Sequence, residues 1–76
     1  MPKASYITDY GGLRLKVREA EDATYEFWVF DGNDGGIFWH GFAPDLKTAQ
    51  SSALFESQAF IILEPTAPPT WYAQEA

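Results

Sequence analysis

Leu13-Arg14-Leu15-Lys16-Val17-Arg18 alternates apolar and basic residues over six positions. That is the period of a strand with one face in a core and the other in water. Leu13, Leu15 and Val17 are expected to point inward, with Arg14, Lys16 and Arg18 in a row on the opposite face. Downstream, residues 24–31 are rich in β-branched and aromatic side chains, and Asp31-Gly32-Asn33-Asp34-Gly35-Gly36 follows. Gly, Asn and Asp tolerate positive φ, so this run reads as a turn and residues 36–43 as the returning strand of a β-hairpin. Upstream, Tyr6 to Thr8 is a short β-prone stretch, and Gly11-Gly12 reads as a turn or an irregular lead-in.

Pro44 stops the third strand, and Asp45 is placed to cap a helix by accepting from the free amides of its first turn. No Gly or Pro occurs from Leu46 to Leu63, and Leu46, Ala49, Ala53, Phe60 and Leu63 fall on one helical stripe flanked by Phe55, Ala59 and Ile62. A helix is expected near residues 45–62. The run Phe60-Ile61-Ile62-Leu63 is apolar all round and also admits a short extra strand. The expected fold is therefore α+β: three antiparallel strands near residues 13–19, 24–31 and 36–43, with one C-terminal helix on one face. Residues 1–64 form the single domain. Residues 65–76 are a Pro-rich tail whose Trp71 and Tyr72 could fold back over the sheet.

The Tyr10-Gly11-Gly12 lead-in, the alternating strand, the glycine hairpin and the Ala-rich helix after Asp45 resemble those of small bacterial β-β-β-α proteins, most of them uncharacterised. A fainter similarity to HicB-type antitoxins lies in Gly35-Gly36 followed by Ala43-Pro44-Asp45-Leu46. Those proteins have a longer segment between the Pro-Asp-Leu and the helix, so their function is not carried over.

A chain of 76 residues is one small domain, and a domain this small buries only about 60% of its unfolded surface. With no cysteine, neither a disulfide nor a thiolate metal site can reinforce it. Aromatics make up 17% of the chain, so large rings are the expected means of filling the core. Five basic residues against eleven acidic ones give a net charge of −6, a field that opposes nucleic acid and anionic lipid at long range. Met1-Pro2-Lys3-Ala4-Ser5 lacks the apolar run of a secretory leader, so a cytoplasmic location and no membrane association are expected.

His40 is the only histidine, and no nucleophile or second ligand stands at a telling spacing from it. The Asp31–Gly36 run lacks the calcium-loop pattern, since Gly35 occupies the fifth position and Phe42 the twelfth. Ser51, Ser52, Ser57, Thr48 and Thr8 have no activating base nearby in sequence. No catalytic residue, metal or cofactor is expected, and the chain reads as a non-catalytic binding module.

The binding surface depends on hairpin register. An even loop puts Tyr25, Phe27 and Val29 with Phe38, His40 and Phe42 against the helix. Glu26, Trp28 and Phe30 then lie beside Ile37, Trp39 and Gly41, on the side of the basic row. A three-residue loop with a bulge would exchange the faces of the third strand but leave Trp28 and Phe30 with the cations. Arg14, Lys16, Arg18, Trp28 and Trp39 are accordingly the expected contact residues. The expected occupant is a protein partner or a second copy. Nucleic acid is the alternative, disfavoured by the net charge and by Glu26 among the cations.

Overall fold

The computed structural model describes residues 3–74. Met1 and Pro2, part of the N-terminal stretch read above for a leader, lie outside the described residues, as do Glu75 and Ala76 of the tail. Five strands form one antiparallel sheet: β1 Ser5–Tyr10, β2 Leu13–Glu19, β3 Tyr25–Asp31, β4 Ile37–Ala43 and β5 Tyr72–Gln74, in the spatial order β4-β3-β2-β1-β5. A single helix, α1, Leu46–Ser57, crosses one face and packs on β2, β3 and β4. The class is α+β as expected, and the three central strands fall within a residue of their expected limits.

The sheet is wider than three strands because both ends of the chain join it. Gly11 and Gly12 turn β1 into β2 with φ of +61° and +83°, and Tyr10 pairs with Leu13. Two successive positive φ values make the tight hairpin turn whose twist matches the strands, a conformation open to glycine at little cost. At the other end, residues 65–70 run as a proline-containing connection, and Tyr72–Gln74 returns to pair with Ser5–Ile7. The segment read as a tail thus supplies an edge strand.

The core forms where the inward rows meet the helix. Leu13, Leu15, Val17, Phe27, Val29 and Ala43 are buried with Ala49 and Ala53. Ala49, Ala53 and Ser57 recur every four residues, and their small side chains let α1 lie close to the sheet. Trp71 packs against this core on the helix side, so it does not fold over the opposite face. Tyr72, its neighbour, points to the open side and is 63% exposed.

The helix stops at Ser57, five residues short of the expected end at 62. The Ser57 hydroxyl donates to the Leu54 carbonyl at 2.6 Å, and the backbone turns through Gln58–Phe60. The amides of Ile62 and Leu63 then donate to the Gly11 carbonyl at 2.8 and 3.0 Å. The apolar run 60–63 is therefore neither helix nor strand. Phe60 and Ile61 pack against the core, whereas Ile62 and Leu63 are exposed.

At the other helix end, the Asp45 carboxylate accepts from the Thr48 amide at 2.8 Å, as the sequence implies. That bond holds the Asp45 carboxyl below its ordinary pKa. Asp45→Ala is expected to lower the Tm, and Asp45→Asn, also a good cap, to retain most of it. Thermal unfolding followed by circular dichroism checks the order.

Candidate functional site

The face away from α1 carries three cross-strand rows. Ile7, Lys16, Trp28 and His40 form the middle one, with Tyr72 at its end. Ser5, Arg18, Glu26 and Phe42 lie to one side of it, and Asp9, Arg14, Phe30 and Ile37 to the other. No helix or strand of the described residues packs on this face.

Trp28 is its centre. The indole stacks against the imidazole of His40 at 5.2 Å between centroids and more loosely against Phe30 at 6.4 Å. The Arg18 guanidinium lies 5.3 Å from the ring centroid and the Lys16 ammonium 5.9 Å, both within cation–π range. Phe42 extends the ladder, its ring meeting that of His40 edge-on at 5.1 Å. The cluster follows directly from strand geometry. The alternation of β2 sends its three cations to this side, and pairing Lys16 with Trp28 puts the ring beneath two of them.

Glu26 organises the edge of the cluster. One carboxylate oxygen accepts from Arg18 at 3.1 Å, and the other lies 2.9 Å from His40 Nε2. These contacts hold the Glu26 carboxyl below its ordinary 4.5, the His40 hydrogen bond first and Arg18 after it, against an opposing effect of burial. A folded-state pKa below the unfolded one contributes stability above the unfolded value, and that contribution is lost as pH falls through the folded value. The stability advantage of the natural chain over Glu26→Gln is therefore expected near about pH 6 and to shrink below roughly pH 4.5. Denaturant midpoints of the two proteins across that range measure it.

Of the expected contact residues, Arg14, Lys16, Arg18 and Trp28 share the open face, and Trp39 does not. Val29 pairs with Trp39 but Phe30 pairs with Ile37, so Phe38 is an extra residue in β4. This bulge reverses the faces beyond it. Trp39 and Gly41 go to the helix side, and His40 and Phe42 come to the open side in their place. Phe38 stays off the open face, as the even-loop reading has it, stacking on Phe60 at 4.9 Å. The exchange is forced by volume as well as register. A Cβ on Gly41 would stand 2.6 Å from Cζ of Phe27, so the Phe27 ring occupies the space that a larger inward residue would need.

His40 and Phe42 are the members of the cluster that the even-loop reading misses, while Glu26 lies on this face as that reading has it. The His40–Glu26 contact is diagonal across two strands and carries no signature in chain spacing. The hydroxyls of Thr48, Ser51, Ser52 and Ser57 belong to the helix, on the other layer. Ser5 on the open face donates to Gln74 at 3.0 Å. In the hairpin loop, Asp31 and Asp34 accept from the Asn33 and Gly36 amides at 2.8 and 2.7 Å, which ties those carboxylates to the turn itself. Among the described residues, no group of three or more His, Cys, Asp or Glu is arranged to hold a metal ion. Nor, among them, is any helix long and apolar enough to cross a membrane.

The charge on the open face is mixed. Arg14 pairs with Asp9 at 3.1 Å and Arg18 with Glu26, while Lys16 has no carboxylate partner among the described residues. Three cations stand against two carboxylates, with aromatic surface between them. No family model, curated protein or solved structure matches this chain.

Proposed function

We infer that the chain is a small non-catalytic interaction module that docks a protein partner on its open sheet face. Trp28 serves as the anchor, and Lys16 and Arg18 recognise a carboxylate beside the partner's apolar contact. The observation that supports this reading most is the state of Trp28. A large ring is held in place by His40, Phe30, Lys16 and Arg18, yet no helix or strand of the described residues covers it. Interface anchors have this character, since Trp and Arg side chains fixed before binding lose little further freedom. Lys16, which has no carboxylate partner among the described residues, fits an acidic group on the partner better than a phosphate backbone. Neutralising a phosphate backbone takes several free cations, and here Asp9 and Glu26 already engage the two arginines.

The test is capture from an extract of the source cells, with the full chain immobilised and nuclease added to half the sample. A protein retained reproducibly and insensitive to nuclease supports the reading. Recovery of RNA or DNA, or loss of the captured protein on nuclease treatment, overturns it in favour of nucleic acid. His40→Gln keeps a polar group toward Glu26 and is expected to leave the fold intact and capture within about threefold of the natural chain, as for contacts around an anchor. A turnover found in the natural chain and lost in folded His40→Gln would contradict a non-catalytic role.

A further inference from the structure

We propose that a second copy of this chain pairs antiparallel with β4, edge to edge about a two-fold axis through His40, so that the two five-stranded sheets become one. This rests on the edge of the sheet and not on the reading of its open face.

β4 is the last strand of the sheet, and its outer backbone groups have no neighbour among the described strands. Protected edges carry Lys, Pro, an inward charge or a bulge, and the bulge of β4 is confined to Phe38 near its first end. Ile37-Phe38-Trp39-His40-Gly41-Phe42-Ala43 holds no proline and no Lys, Arg, Asp or Glu. Two copies at −6 each repel, and contact is least opposed at an uncharged element.

The edge is also complementary to itself. Pairing about His40 keeps regular register at Trp39–Gly41, beyond the bulge at Phe38. Most tellingly, it sets Trp39 opposite Gly41, both on the helix side. A hollow of 620 Å³ lies there between β4 and α1, lined in part by Phe27, Gly41, Ser52 and Phe55. It exists because Gly41 has no side chain and Phe27 leaves room for none. The indole of the second copy's Trp39 would pass the edge at Gly41, above which the Phe27 ring already lies, and reach this hollow from outside, and the two-fold axis repeats the exchange. Aromatic residues set against an edge glycine are a recognised means of fixing strand register. The same step would cover Phe55 and Trp39, which are 74% and 45% exposed in the single chain.

The chain has no cysteine, so a single introduced thiol has no intramolecular partner, and its mixed disulfide with glutathione becomes a covalent dimer only when the thiol of a second copy displaces reduced glutathione. Directly opposed residues in an antiparallel ladder have Cα atoms about 4.5–5.5 Å apart, within disulfide range. In oxidised glutathione, His40→Cys is expected to give covalent dimer at least about tenfold faster than Asp9→Cys, which lies on β1, three strands away from β4. Light scattering of the natural chain is expected to show its mass doubling with concentration, and Trp39→Lys to weaken that association at least about tenfold. A single-chain mass at every concentration up to about 1 mM overturns the proposal. Equal cross-linking of His40→Cys and Asp9→Cys overturns it as well. Should Trp39→Lys fail to fold, the cross-linking rates decide. Trp28→Ala is expected to leave dimer formation unchanged, which separates this proposal from the docking function of the open face.

Discussion

Phe27→Ala is expected to cost about 3–5 kcal/mol, the usual loss for a buried phenylalanine. The ring is 5% exposed, lies over Gly41 and packs with Leu13, Leu15, Val17 and Val29 against Ala49 and Ala53. Its removal leaves a void between sheet and helix that small neighbours cannot fill, because α1 is held close by alanines and a serine. At roughly 0.05–0.15 kcal/mol per residue, a chain of 76 residues has a total stability of about 4–11 kcal/mol. The substitution therefore removes a large share of it. Urea unfolding should show a midpoint displaced to low denaturant, or no folded baseline.

Trp28→Ala, one residue along and on the opposite face, is expected to do the reverse. In folding, the indole contributes its stacking on His40 and the cation–π contacts of Arg18 and Lys16. Half-exposed interactions of this kind sum to about 1–2 kcal/mol. The chain should stay folded, with a midpoint well above that of Phe27→Ala. Its affinity for the captured partner should fall at least about 30-fold, the loss typical of a binding anchor. The two substitutions thus separate core from contact surface by which quantity they change.

The alternation of Leu13–Arg18 is sufficient to place β2 and both of its faces, since period two admits one arrangement once Leu15 and Val17 are buried. The β3–β4 hairpin is equally legible from its Asp, Asn and Gly turn. Its register is not. One extra residue at Phe38 decides whether Trp39 or His40 lies beside Trp28, and the reason, the lack of room over Gly41 beneath the Phe27 ring, is a tertiary fact. β1 and β5 are obscured differently. Ser5–Tyr10 has no clear apolar alternation, and its inward Thr8 is buried while polar. β5 is three residues long and is specified by pairing with β1 alone. The apolar run 60–63 reads as helix because periodicity cannot register that the Ile62 and Leu63 amides are drawn to the Gly11 carbonyl. Four of the five expected contact residues share the open face because their placement needs only β2 and β3. The fifth, Trp39, depended on the bulge.

The docking role of the open face stands or falls on one comparison, titration calorimetry of the captured protein against Trp28→Ala and Lys47→Ala side by side. Lys47 is an exposed residue of α1, on the other layer, and its change serves as the control. The account predicts that Lys47→Ala binds as the natural chain does, and that Trp28→Ala, folded by circular dichroism, binds at least about 30-fold more weakly. Undiminished binding by folded Trp28→Ala, or equal losses in both variants, would contradict it.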